Sequence, residues 1–354
     1  MSVVRPRVDL SLPVGYGLTP AELIELVRVG EHAGVDGVTC GELASTDAFA
    51  LLAAAATATK RIGLETGIGS VLARSPAGYA MGAVTLHELS GGRFTLGIGA
   101  GSPTVAGFHG AKFRQPLARV ESWVLAIRAA LAGETLREWG NFRLRGLTAP
   151  GLPIVVAAMN EGMVRLSGRL ADGMVLNFSA ENQAAQLHQL AEKARADAGV
   201  TEPFQTHATV WLYAGSDLAR ARAKFRYETA PYFAVPTYRR AAVAIAGEDA
   251  VTEADMAFRS GGRAAAVAAF PDAVTDALLV AGSASEIADR LTGFAAAGCA
   301  GVRLTPVTDE PDSLDGNAAA AELLGDAIAE LERRAASGAA PEFDRVADGE
   351  VRLR

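Results

Sequence analysis

Short apolar runs alternate along this chain with longer segments whose apolar residues recur at helical spacing. Runs at 8–13, 37–40, 62–69, 94–99, 152–158, 173–178, 204–213 and 301–307 read as eight strands. The first helix opens on Thr19-Pro20-Ala21-Glu22, with Thr19 as N-cap, Pro20 in the first turn and Glu22 completing a capping box. It places Leu23, Ile24, Leu26, Val27 and Val29 on its buried side and stops at Gly34. Further helices are predicted over 47–59, from Ser75-Pro76 to Ser90, and over 116–131, 161–171 and 181–198. Ser283 and Glu286 make a second capping box for a helix that ends at Gly298, and a last helix covers 318–335.

Two stretches break the alternation. Segment 133–150 has a hairpin's composition, with Gly140-Asn141 as its turn, and 217–280 is long enough for several helices on one side of the core. Three junctions echo one another: Ala33-Gly34-Val35-Asp36-Gly37-Val38, Leu170-Ala171-Asp172-Gly173-Met174-Val175 and Ala297-Gly298-Cys299-Ala300-Gly301-Val302. Each ends a helix and starts a strand within a few residues, as parallel βα units do. The pattern predicts an α/β fold, a closed (β/α)8 TIM barrel with insertions after strands four and seven. The barrel is expected to be a single domain over 1–340, with a polar tail at 341–354. An open doubly wound sheet is the alternative. It lacks its fingerprint here, because the position after Gly97 and Gly99 where a third glycine belongs is Ser102.

Composition narrows the classes. Half of the 354 residues are hydrophobic, yet no apolar run is long and uncharged enough to span a bilayer. A formal charge of −7 with no basic stretch argues against nucleic acid as partner. The N-terminus, with Arg5, Pro6, Arg7 and Asp9, has no apolar signal core, so a cytoplasmic protein is expected. Cys40 and Cys299 are too few for a disulfide framework, and no metal-ligand spacing or G-x-S-x-G elbow occurs, so no metal is expected.

In such a barrel the loops at the carboxyl ends of the strands carry function. That singles out Tyr16, the run Cys40-Gly41-Glu42, Ser70-Val71, the segment 99–109, the segment 159–163, Asn177 with Ser179, and Tyr213. His32, His87 and His188 fall inside helices, and His207 falls toward the other rim. Glu42 follows directly on a strand, where a carboxylate could handle a proton; alternatively it caps the next helix or pairs with an arginine. His109 sits in the Gly-rich insertion after strand four and is the second candidate acid or base, or else an exposed loop histidine. Arg74 and Arg114 read as surface arginines that could take anions. Asn160-Glu161-Gly162-Met163 opens a helix, and free N–H groups there suit a phosphate.

One stretch stands out: Ser90-Gly91-Gly92-Arg93-Phe94-Thr95-Leu96-Gly97-Ile98-Gly99-Ala100-Gly101. Together with Ala33-Gly34-x-Asp36-Gly37, Asp47-Ala48-Phe49-Ala50-Leu51-Leu52, Ala56-Thr57-x-Thr59-x-Arg61-Ile62-x-Leu64 and Arg169-Leu170-Ala171-Asp172-Gly173, it resembles the bacterial luciferase-like superfamily. The resemblance runs from residue 8 to about 307. Members are flavin monooxygenases and oxidoreductases dependent on the deazaflavin coenzyme F420.

The resemblance implies a TIM barrel that binds a flavin-type ring at the strands' carboxyl ends. It implies a non-proline cis peptide at Ser70-Val71 behind the ring. The implied cofactor contacts are Ser70, Val71, Gly99, Ala100, Gly101, Asn160, Glu161, Gly162 and Met163; by their place at the strand ends Asn177 is expected to join them, with Tyr16 and Ser102 toward substrate. Sugar-phosphate dehydrogenases of the family carry a histidine where this chain has Leu43 and a glutamate where it has Ser102. A glucose-6-phosphate-type activity is therefore not expected. The leading expectation is hydride transfer between F420 and a small organic substrate, with Glu42 or His109 moving a proton. The alternatives are an FMN monooxygenase fed by a separate flavin reductase, and a degenerate barrel that merely binds a ligand or partner. A homo-oligomer is the family expectation.

Overall fold

The structure, a computed structural model, describes residues 5–42, 44–337, 343–345 and 351–353. Eight parallel strands form the barrel: β1 (Arg7–Ser11), β2 (Gly37–Cys40), β3 (Gly63–Thr66), β4 (Phe94–Gly99), β5 (Ile154–Ala157), β6 (Gly173–Asn177), β7 (Gln205–Tyr213) and β8 (Gly301–Val307). Each pairs with the next, and β8 closes the ring on β1, with Arg7 opposite Gly301 and Leu10 opposite Leu304. This is the (β/α)8 barrel that the alternation predicts. Its outer layer is α1 (Pro20–Ala33), α2 (Ala48–Ala58), α3 (Pro76–Ser90), α5 (Pro116–Leu131), α6 (Glu161–Leu170), α7 (Glu181–Asp197), α12 (Ala284–Ala296) and α13 (Leu314–Ser337). Between α3 and α5 lies a short helix, α4 (Pro103–Phe108).

The local chemistry read from the sequence recurs in three dimensions. Thr19 accepts from the Glu22 N–H at 3.3 Å while the Glu22 carboxylate takes the Thr19 N–H at 2.8 Å. Gly34 closes α1 with φ of 88°, a conformation that costs a residue with a Cβ. The echoed Asp-Gly junctions have one cause. Asp36 accepts the Val8 N–H at 2.8 Å and Asp172 accepts the Ile154 N–H at 2.7 Å. Each aspartate thus ties the start of its own strand to a neighbouring one. Arg93 of the Ser-Gly-Gly-Arg block donates to the carbonyls of Ala56, Thr59, Ile62 and Ser90 at 2.6–3.1 Å. It satisfies the carbonyl ends of α2 and α3, where a cation also suits the helix dipoles. That rim is opposite the functional one, so the block splits into a structural half and, from Gly99, a functional half.

Two segments depart from the expected pattern. The run 62–69 is not one strand: β3 ends at Thr66, and Gly69–Ser70 pairs separately with β4, Gly69 opposite Ile98 and Ser70 opposite Gly99. Segment 133–150 is a 3-10 turn at Arg137–Trp139 with one bridge from Leu136 to Phe142 rather than a hairpin, although Gly140 and Asn141 do turn left-handed.

The long insertion after β7 contains α8 (Leu218–Thr229), α9 (Pro236–Ala246), α10 (Glu248–Ala268) and α11 (Asp272–Leu278). It packs round its own core of Phe225, Phe233, Val251 and Phe270, which continues into Phe178, Trp211 and Tyr213 at the ends of β6 and β7. Of the polar tail, 343–345 and 351–353 form a small antiparallel ladder and the remainder lies outside the described residues. No helix among the described residues is long and apolar enough to cross a membrane.

Candidate active site at the barrel mouth

Strand pleating turns alternate residues into the barrel, and here the lower interior is ionic. Arg7 holds Asp9 at 2.8 Å, and Arg303 pairs with Glu65 where both side chains are buried. Small residues make the room. A Cβ at Gly37 or Gly63 would strike Arg7, and one at Gly301 would lie 2.6 Å from His207 Nδ1. Burial, with Arg303 and Arg7 adding to it, pushes the His207 pKa far down, so the ring is neutral. Burial raises Glu65 against the pull of Arg303. This plug was not anticipated. Its signal was Arg7 and Asp9 two apart on one strand, facing strands that begin in glycine.

Above the plug the mouth opens. The non-proline cis peptide joins Gly67 to Ile68, not Ser70 to Val71. The correction follows from the broken strand. The chain leaves β3 at Thr66 and rejoins β4 at Gly69, so Ser70 and Val71 lie in ordinary pairing beyond the break. Both are buried. Ser70 Oγ accepts from the Leu72 N–H at 3.2 Å, the Ser70 carbonyl accepts from Tyr79 at 2.7 Å, and the Val71 N–H donates to Gly99 at 3.0 Å.

The end of β4 forms a cradle. A Cβ on Gly99 would come within 2.8 Å of Ile68 and 3.0 Å of Ala157. Gly101, with φ of 69°, would put one 2.4 Å from Ser70 Oγ. Ala100 between them is half-buried. Ser102 caps α4, its Oγ accepting from the Val105 N–H at 3.2 Å. His109 follows α4 as an exposed residue whose N–H donates to the Ala106 carbonyl at 3.2 Å.

Asn160 caps α6, accepting the Met163 N–H at 3.1 Å, and Met163 is buried. The N–H groups of Glu161 and Gly162 have no partner among the described residues, and both residues are exposed. Glu161 reaches back to Arg165 at 3.5 Å. Asn177 faces inward at the end of β6 and accepts the Phe178 N–H at 2.9 Å, where Phe178 is left-handed at φ 55°.

Glu42 lies on the side of the chain facing α2 and α3. Arg74 Nη2 stands 2.8 Å from its Oε1 and also 2.5 Å from Asp47, while the guanidinium stacks on Phe49 at 4.5 Å. The other oxygen, Oε2, is buried without a partner among the described residues. Arg74 is thus no free surface cation. Cys40, fully buried beside this carboxylate, has its thiol pushed up to about 12, so no thiolate forms near neutral pH. Across the mouth, the Tyr16 hydroxyl donates to Glu228 of α8 at 3.2 Å, and Tyr213 donates to Asp309 at 3.0 Å. Burial and Glu228 together raise the Tyr16 pKa.

The barrel that carries this cradle is also what known proteins of similar sequence and structure share. The sequence model of the luciferase-like monooxygenases matches residues 3–301. The chain belongs to this family. Among relatives of this luciferase-like protein is Rv3520c of Mycobacterium tuberculosis H37Rv, provisionally named a coenzyme F420-dependent oxidoreductase. It is 29% identical over 326 residues, covering 82% of this chain and 93% of its own. Among solved structures, the F420-dependent tetrahydromethanopterin reductase of Methanopyrus kandleri superposes with a TM-score of 0.78 at 18% identity, covering 93% of this chain and 100% of that one. The oxygenating constituent of 3,6-diketocamphane monooxygenase from Pseudomonas putida, in complex with FMN, superposes at 0.66 and 19% identity, covering 91% and 97%. At those identities the two structures speak for the fold alone.

Proposed function

We propose that this family member is a coenzyme F420-dependent oxidoreductase acting on a small organic substrate. The carrying observation is the cradle itself. Gly99 and Gly101 leave the β4 end without side chains beside Ile68, and the exposed N–H groups of Glu161 and Gly162 stand at the positive end of α6. A flat ring with a phosphate-bearing tail fits that combination. In this reading Gly99, Ala100 and Gly101 approach the ring and its ribityl chain, and Asn160, Glu161, Gly162 and Met163 bound the phosphate. Ser70 and Val71 hold the β4 end in place from beneath, and Asn177 closes the inward side.

A bound deazaflavin would supply two-electron hydride chemistry. The chain supplies position and dryness. Glu42, tied to Arg74, fixes the loop after β2 against Ile68, whose carbonyl accepts the Glu42 N–H. Tyr16 with Glu228 closes the side toward the insertion. The name of the Mycobacterium tuberculosis relative supports F420 over other flavins.

The second reading, an FMN monooxygenase served by a separate reductase, is supported by the family's description as luciferase-like monooxygenases, since the same cradle would take either phosphate. The fate of oxygen separates them. Reduced FMN alone consumes one O2 per molecule and gives peroxide, so the readout is product rather than uptake. Purified protein given reduced FMN, isotopically labelled O2 and a substrate panel should form no labelled organic product. A labelled product that depends on the protein would favour the monooxygenase.

A further inference from the structure

The insertion after β7 reaches into the mouth. Its core joins Met159, Phe178, Trp211 and Val307, which stand at or near the carboxyl ends of β5, β6, β7 and β8. In a ring of eight strands β6 is opposite β2 and β7 opposite β3. This group therefore faces the turn at Gly67-Ile68, and the glycine cradle beside it, across the mouth.

Phe178 is the hub. It is fully buried, and its ring centroid lies 4.9 Å from that of Trp211 and 5.3 Å from those of Tyr232 and Tyr238. Tyr232 comes from the turn between α8 and α9 and Tyr238 from α9, and the two rings meet edge to face at 4.7 Å. Aromatic pairs at these distances hold one another in register. Unlike Phe178, both tyrosines are only half-buried. Their hydroxyls place them on the mouth rather than on the outer surface. The Tyr238 hydroxyl faces the side chain of Asn177, the inward residue at the end of β6, and Tyr232 lies near Glu228, the partner of Tyr16. Burial raises both pKa values, that of Tyr238 to about 12, so the two rings stay uncharged at neutral pH.

We infer that Tyr232 and Tyr238 form the wall that selects the substrate, a ketone or alcohol whose carbon skeleton includes an apolar ring, aromatic or alicyclic. An apolar ring leaves water readily and packs on such faces. A sugar set against them would lose water from its hydroxyls without replacement. The inference deepens the oxidoreductase reading and rests on it, since hydride transfer supplies the carbonyl or carbinol and the wall supplies the ring. Binding the ring away from the reacting carbon raises specificity by holding that carbon in register.

The test is ligand-observed NMR titration of the cofactor-free and F420-loaded protein with acetophenone, cyclohexyl methyl ketone and butanone. Both ring ketones should bind at least about tenfold more tightly than butanone. Tyr238→Ala should cut that preference to about threefold or less while butanone binding stays within about twofold. Tyr238→Phe, which keeps the ring and removes the hydroxyl, should retain the preference within about twofold. If Tyr238→Ala does not fold, Tyr232→Ala is read in its place. Equal binding of ring and open-chain ketones to wild type, an unchanged preference in the alanine variant, or no saturable binding of any ketone would overturn the inference. Failure of F420 to bind, with the ring preference and its loss in the alanine variant intact, would remove the cofactor reading and leave the wall standing. F420 that binds without any ring preference would overturn the wall alone.

Discussion

Glu42 and Arg74 are joined by two contacts, Oε1 to Nη2 at 2.8 Å and Oε1 to Nε at 3.2 Å, on the side of the β2 loop that faces α2 and α3. That pairing changes what the strand-two carboxylate is expected to do. Glu42→Gln keeps the shape and removes the charge that Arg74 holds. F420 affinity should change little, and turnover should fall less than tenfold with an unshifted pH profile. A loss in the ~10²–10⁴ range typical of a general acid or base, with a shifted profile, would return proton transfer to Glu42.

Arg74→Met should cost more than Glu42→Gln in unfolding free energy, because it strands a nearly buried carboxylate. The expected difference is about 1–3 kcal/mol, discounted for the 28% exposure of the arginine side chain. Denaturant unfolding of the two variants checks the order. Equal stabilities would mean that the pair does not anchor the loop.

His207 predicts a pH dependence. Its folded pKa is depressed by burial and by Arg303 and Arg7, below the ordinary imidazole value of 6.5. Protonation therefore favours the unfolded chain. The stability is present above pH 6.5 and is lost as pH falls toward the folded value. His207→Gln should flatten the decline of unfolding free energy between about pH 6.5 and 5 relative to wild type, in urea titrations at each pH. Parallel curves for the two proteins would contradict this.

Gly162 tests the phosphate end of the cradle. A Cβ there meets nothing closer than Asn160 Oδ1 at 3.4 Å, and its φ is not left-handed, so Gly162→Ala should fold and bind normally. Gly162→Glu places a second carboxylate at the helix start and should repel a phosphate. Binding of both F420 and FMN that survives within about threefold, roughly 0.7 kcal/mol, would place the phosphate elsewhere.

The barrel was legible because its signals are local. Capping boxes, glycine C-caps and the Asp36 and Asp172 junctions each fix one element from a few adjacent residues. The features that escaped depend on neighbours distant in sequence. Arg303 meets Glu65 across 238 positions, and the arginine that pairs with Glu42, an alternative the sequence offered without naming the partner, is Arg74, 32 positions on. The resemblance put the cis bond at Ser70-Val71 because 62–69 was read as one strand, and the break at Thr66 moves it to Gly67-Ile68. Gly67 carried the clue, since a Cβ there would come within 2.7 Å of Thr39.

The central claim is that the cradle between Ile68, Gly101 and Gly162 is built for a deazaflavin. The most direct measurement is an equilibrium titration of the purified protein with F420 and, separately, FMN, followed by absorbance and fluorescence. Saturable F420 binding at least about tenfold tighter than FMN, a preference of about 1.4 kcal/mol, is the predicted result. Preferential binding of FMN, or no saturable binding of either, would contradict it.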